Sequence, residues 1–201
     1  MAYDGIVSRY LNRPISRPAA RALAPTPVTP NAVTLFTLAL AIATGAMLAL
    51  GWNIAGGIAI QAVSIIDGVD GELARLRIAS TRFGEVLDAI TDRYADAVML
   101  GGMTIYAVRF EDFPMPEVVG MLALAGALSI SYSRARIEAS LPDVPANMDA
   151  LLGLASRDVR SLLMAIGAIL GQCYIALCAI AIITTLTVAW RLIYLRSRAA
   201  K

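Results

Sequence analysis

Four aspartates, Asp67, Asp70, Asp88 and Asp92, stand within the stretch DGVDGELARLRIASTRFGEVLDAITD at positions 67–92. Asp67 and Asp70 are three apart, and Asp88 and Asp92 are four apart, so each pair lies on one face of a helix. Carboxylates gathered without histidine or cysteine select hard divalent cations, Mg²⁺ first and Mn²⁺ or Ca²⁺ as alternatives. The chain contains no histidine at all, which removes an imidazole zinc site and a histidine general base. The spacing of the acids is wrong for a 12-residue EF-hand loop. A structural ion-pair cluster would account for one such pair, but four acids at this spacing point to metal. Gly71 and Ala74 leave room for a bulky ligand beside Asp70. Gly84 does the same one turn before Asp88, and Arg75 offers a forked cation suited to phosphate. Arg75 and Arg93 are placed to offset part of the negative charge.

These acids border strongly apolar sequence. Hydrophobic residues make up 58% of the 201-residue chain, and mean hydropathy is +0.69, against about 45–50% apolar residues in ordinary soluble domains. The excess falls in runs long enough to cross about 30 Å of hydrocarbon. The expected fold is therefore an all-α integral membrane protein. Its six transmembrane helices run over about 32–50, 54–76, 84–108, 116–138, 158–171 and 173–195. The fifth is short, and Gly171-Gln172 marks the turn before the sixth. The whole chain reads as one membrane domain with no cleaved signal peptide. Residues 3–24 mix arginines with Ile6, Val7, Leu11, Ile15 and Leu23, as an interfacial helical segment does, although Pro14 and Pro18 argue against one unbroken helix. Gly101, Gly102, Gly120 and Gly126 suit close helix packing in a bilayer. Cys173 and Cys178, five apart, fall on different helix faces and are expected to remain unpaired.

With six spans, 16 of the 17 lysines and arginines fall on one side, and Arg109 alone lies opposite. The positive-inside rule then puts both termini and the four acids at the cytoplasmic face of a cell membrane. The short connection between the second and third spans makes them antiparallel neighbours, so that all four acids face one point. An ion transporter is the rival from another class, since acids within a membrane often mark ion paths. The acids cluster at one face, however, and no charge lies mid-membrane in the other spans to continue a path. A non-catalytic scaffold leaves Gly71, Ala74 and Gly84 unexplained. No nucleic-acid partner is expected.

The pattern Asp67-x-x-Asp70-Gly71-x-x-Ala74-Arg75, then Gly84, Asp88 and Asp92, resembles the CDP-alcohol phosphotransferase motif at eight fixed residues over 26 positions. The resemblance extends over the whole chain, because that family also has six spans with this motif across the second and third. It implies transfer of a phospho-alcohol group from a CDP-alcohol to a hydroxyl acceptor, releasing CMP, with two Mg²⁺ (or Mn²⁺) ions and a homodimeric assembly in the membrane lipid. By resemblance, Asp67, Asp70, Asp88 and Asp92 hold metal, and Asp92 is the catalytic base. Asn31, Thr34, Asp67, Asp70, Gly71, Ala74, Arg75 and Thr81 bind the donor. Asp96 continues the same face and either binds acceptor hydroxyls or pairs with Arg93.

The segment ISYSRARIEAS at 130–140 and the start of the fifth span, SRDVR at 156–160, carry Arg134, Arg136, Arg157 and Arg160. They are either topology-setting charges touching anionic lipid or a pocket for a phosphorylated acceptor. The segment resembles the inositol-phosphate-using branch, which implies CDP-diacylglycerol as donor, inositol 1-phosphate as polyol acceptor and phosphatidylinositol phosphate as product. YDGIVSRYLNR at the N-terminus resembles the di-inositol-phosphate synthases, which use soluble CDP-inositol. A phosphatidylglycerol phosphate synthase-like activity is a further alternative.

Overall fold

The computed structural model describes residues 7–141 and 155–199, with side chains to 197. The first residues of the 3–24 segment, most of the loop after the fourth span, the side chain of Arg198, and Lys201 lie outside them. Among the described residues every regular element is helical. A wide helical turn, Ser8–Asn12, leads into α1 (Arg13–Leu23). There follow α2 (Pro30–Ala49), α3 (Asn53–Leu76), α4 (Arg82–Phe110), α5 (Pro116–Ser140), α6 (Arg157–Ile169) and α7 (Cys173–Ala199).

Local chemistry sets most of the ends. Pro30 occupies the first turn of α2, where a missing N–H costs nothing, and Thr29 caps it by accepting from the Ala32 N–H at 3.2 Å. Thr81 caps α4, accepting from the Gly84 N–H at 3.0 Å. Ser156 caps α6. Gly171 supplies the turn between α6 and α7 with φ of +65°, a conformation open to glycine at no steric cost. The N-terminal segment departs from expectation. Helical backbone runs through both prolines: Pro14 sits in the first turn of α1, and only Pro18 is interior.

α2, α3, α5 and α7 are long and apolar enough to cross a membrane. α4, at 29 residues, has the length, but charged residues crowd its first half. α6, at 13 residues, extends about 20 Å at 1.5 Å per residue. The helices close into a ring in the order α3, α2, α4, α5, α7, α6 and back to α3, with α4 also reaching across to α7. The shared core includes Leu48, Ile60, Met99, Leu100, Met103, Met164, Leu177 and Ile180, all essentially inaccessible.

This order corrects one expectation. α3 and α4 are not packed neighbours, although a short connection joins them. Each leans on α2, which stands between them. The reason is steric. At the α2–α4 crossing Gly45 faces Gly102, and a Cβ on either would strike backbone of the other helix. This close approach draws α4 onto α2 and leaves a gap between α4 and α3. Where α5 meets α4 and α7, Gly120 makes room for the Thr104 side chain and Gly126 for that of Thr184. Gly101, by contrast, faces open space. Cys173 and Cys178 are free thiols, as expected.

Candidate active site

The gap between α3 and α4 is a cleft of about 230 Å³. Asn31, Thr34, Asp70, Gly71, Ala74, Arg75, Thr81, Gly84 and Asp88 line it, with Pro30, Ala79, Ser80 and Glu85 completing the wall. All six of the non-acidic donor-site candidates from the sequence thus share one wall. Pro30 and Asn31 belong to the first turn of α2, and Thr81 and Gly84 to the start of α4. Two helix N-termini therefore face the cleft, and each carries partial positive charge from its free N–H groups. With the exposed Arg75 guanidinium they make the cleft a receptor for anionic groups. A Cβ at Gly84 would lie 3.1 Å from both Asn31 Oδ1 and Thr81 Oγ1, so glycine keeps this corner open.

Carboxylates form the inner end. Oxygens of Asp67, Asp88 and Asp92 all lie within 4.8 Å of one another, so that one cation could be held by three helix-borne ligands. Asp70 stands slightly apart. Its side chain is buried, 7% exposed, and it accepts from Thr34 Oγ1 at 2.5 Å and from the Gly71 N–H at 2.5 Å. Thr34 thus fixes Asp70 against α2 while one of its faces borders the cleft. The donor set is purely carboxylate oxygen, which fits a hard divalent ion and excludes sites built on thiolate or imidazole.

The counter-charge comes from a different place than the sequence suggested. Arg75 pairs with Glu72, at 3.4 Å, rather than with the acids. Arg93 reaches Asp92 at 3.2 Å. The main partner is Arg157 from α6. Its Nη1 donates to Asp67 Oδ2 and lies 2.9 Å from Asp92 Oδ1, while its Nε is 3.7 Å from Asp96 Oδ1. Arg160 is 4% exposed and donates to Asp96 Oδ2 at 2.9 Å and to the Ala155 carbonyl at 2.8 Å. Asp96 is therefore paired with α6, not with Arg93. Of the four arginines assigned together from sequence, Arg157 and Arg160 come together at the acids. Arg134 and Arg136 lie exposed on α5, where Arg134 pairs with Glu138 at 3.0 Å.

Three contributors escaped sequence reasoning. Arg77 donates to four carbonyls, those of Leu23, Ala24, Thr26 and Val28, at 2.5–3.1 Å, and so clamps the link between α1 and α2. Arg191, buried in α7, donates to the Ile130 carbonyl at 2.7 Å and to Ser133 Oγ at 2.5 Å. Asn12 links α3 to α6. In sequence, Arg77 and Arg191 are simply members of the basic clusters that set topology, and nothing in the spacing distinguishes them.

A helical membrane protein whose cleft joins an anion-binding wall to a carboxylate cluster has the construction of a metal-assisted phosphoryl-group transferase. Residues 27–196 match the family model described as CDP-alcohol phosphatidyltransferase, and the chain belongs to that family. A bifunctional IPC transferase and DIPP synthase of Rubrobacter xylanophilus is 42% identical over 168 residues, 84% of this chain. The chain spans 37% of that relative's length. A phosphatidylinositol phosphate synthase of Mycobacteroides abscessus is 32% identical over 197 residues, covering 94% of this chain and 87% of the relative. The crystal structure of the Mycobacterium tuberculosis phosphatidylinositol phosphate synthase with CDP-DAG bound superposes with a TM-score of 0.72 at 26% identity, covering 89% of this chain and 92% of that one. The same enzyme in complex with manganese and citrate superposes with a TM-score of 0.71 at 25% identity, covering 89% and 87%.

Proposed function

We propose that this cleft takes CDP-diacylglycerol and that the chain transfers its phosphatidyl group to inositol 1-phosphate, releasing CMP. One observation carries the reading. The anion-binding wall built by α2, α3 and α4 ends at three carboxylates, and Arg157 stands directly beside them. The cytidine diphosphate part lies along Asn31, Thr34, Gly71, Ala74, Arg75 and Thr81, with its phosphates toward the acids. Asp67, Asp70, Asp88 and Asp92 hold divalent metal, Mg²⁺ or Mn²⁺. When bound, the metal offsets charge on the leaving phosphate and polarises the phosphorus under attack.

Asp92 accepts the proton of the acceptor hydroxyl. A bond forms from that oxygen to the phosphorus on the diacylglycerol side. The bridging P–O bond to CMP breaks in line with it, with no covalent enzyme intermediate. Arg157, beside Asp92, meets the acceptor's own phosphate, and Arg134 and Arg136 are its companions on the same side. Arg160 braces this group through Asp96, since its guanidinium is buried and occupied. That refines the acceptor-phosphate role that the sequence alone assigned to it.

The same reading takes the whole chain as one membrane domain of six spans, with α4 and α6 crossing alongside the four long apolar helices, and the N-terminal segment along the interface. The basic ends of the helices support a cytoplasmic position for the termini and the site in this reading, and its working unit is a homodimer. A second reading is favoured by the 42% identity to the Rubrobacter xylanophilus relative: a soluble CDP-inositol donor in the same cleft. CMP release by purified protein with Mg²⁺ or Mn²⁺ separates the two. Each donor is offered with inositol 1-phosphate, glycerol 3-phosphate or free inositol. Turnover with CDP-diacylglycerol and inositol 1-phosphate supports the first reading. Turnover with CDP-inositol alone overturns it in favour of the second.

A further inference from the structure

Tyr10-Leu11-Asn12-Arg13 precedes the residues that match the family model, and the chemistry above gives it no task. Yet its asparagine is 3% exposed. Asn12 Nδ2 donates to Ser64 Oγ at 3.0 Å and to Asp158 Oδ1 at 3.5 Å, and Asn12 Oδ1 accepts from Gln61 Nε2 at 2.8 Å. One amide side chain thus joins three partners on two helices. Ser64 lies one turn before Asp67 on α3. Asp158 follows Arg157 directly, in the first turn of α6. The next residue strengthens the attachment of this segment, because Arg13 Nη1 donates to Glu72 on α3 at 2.7 Å.

The requirement at position 12 is chemically narrow. Two donors and one acceptor are used, which an amide supplies and a carboxylate does not. An aspartate would also face Asp158 with like charge. A leucine of similar size would remove one hydrogen bond from each of three polar partners in a partly buried seam. α6 needs such an anchor because it is short, and its first turn carries the guanidinium that must stand beside the carboxylates. Displacement of a substrate-positioning group by about 1 Å is enough to lower turnover strongly.

We propose that Asn12 is a positioning residue for acceptor binding: it ties the first turn of α6 to the metal-bearing helix α3 and thereby holds Arg157 in place. The proposal rests on the reading that Arg157 meets the acceptor. The test uses the full chain with Asn12→Leu, Asn12→Asp and, as the milder change, Ser64→Ala. Initial rates are measured against each substrate, and hydrogen–deuterium exchange is followed across residues 155–163. Asn12→Leu is expected to raise the acceptor KM about tenfold, leave the donor KM unchanged, and speed exchange at the start of α6. In an Arg157→Lys background its effect on acceptor KM should largely vanish, because the two act through one group.

Equal losses against both substrates, with exchange at the start of α6 unchanged, would overturn the proposal and make Asn12 a general structural residue. If Asn12→Leu does not fold, Ser64→Ala decides by the same two readouts. Should the wild-type chain prefer an unphosphorylated acceptor, the parent reading fails. The exchange comparison and the KM split against that acceptor then still decide the role of Asn12.

Discussion

The buried pair between Arg160 and Asp96 supports a quantitative prediction. The Asp96 and Arg160 side chains are 7% and 4% exposed, and their charged atoms are 2.9 Å apart. At that distance, two unit charges attract by about 6 kcal/mol in an environment of effective dielectric near 20. Desolvation of both groups cancels much of this, so the pair as a whole contributes little. Removing one partner is different, because the surviving charge keeps its desolvation cost and loses its compensation, at about 3–5 kcal/mol. Asp96 is poorly insured against this loss. Its Oδ1 has no hydrogen-bond partner among the described residues, and its other cation, the Arg157 Nε, is 3.7 Å away. Arg160→Met, which keeps the length of the side chain, is therefore expected to lower Tm by about 10 °C. Thermal unfolding in detergent, followed by a thiol-reactive dye that reports Cys173 as the bundle opens, measures it. Asp96→Asn in the Arg160→Met background should restore much of the loss, because an amide carries no unpaired charge. If Arg160→Met leaves Tm unchanged, or if the double variant is no more stable than the single, the inference that Arg160 braces the site through a buried pair is wrong.

Asp92→Asn should abolish CMP release, by about a thousandfold or more if it serves both as base and as metal ligand, while circular dichroism stays helical; retained turnover would remove Asp92 from the chemistry. Arg77→Lys supplies one point charge where a planar fork answers four carbonyls, so the donor KM should rise and Tm fall, as measured by steady-state kinetics and the same unfolding assay. Gly126→Val puts a side chain where Thr184 already stands, and overpacking of about 1–3 kcal/mol should appear as a lower Tm with the metal site intact by Mn²⁺ binding. Chelation with EDTA should stop turnover and Mg²⁺ or Mn²⁺ should restore it, with isothermal titration detecting Mn²⁺ in the wild type and weakened binding in Asp88→Asn.

Much was legible in the sequence because its physical basis is local. Apolar runs of membrane length predicted the boundaries of the helices to within a few residues, since hydropathy and helical hydrogen bonding act along a segment regardless of its neighbours. The caps that start α2, α4 and α6 are equally local, each a threonine or serine accepting from a backbone N–H three residues on. The i, i+3 and i, i+4 spacing put each aspartate pair on one helix face, and the absence of histidine and of a cysteine pair restricted the chemistry to carboxylate oxygen. These features give the acidic motif and its preference for a hard divalent cation; the reaction class entered through the resemblance of that motif to a known family.

Tertiary structure decided everything that depends on which helices touch. Sequence adjacency made α3 and α4 look like packed partners, whereas the glycine crossing of Gly45 and Gly102 inserted α2 between them and so created the cleft. Arg75 and Arg157 look alike in a list of basic residues. The pairing of Arg75 with Glu72 is a local i, i+3 contact on α3, whereas only the fold brings Arg157, 65 positions after Asp92, onto the acids. Asn12, Arg77 and Arg191 act through partners 49 to 146 positions away, and no periodicity encodes a contact at that separation. Segment-level forces select the helices from the sequence alone; the pairing of charges across helices is selected by packing, which becomes defined only once the whole ring has closed.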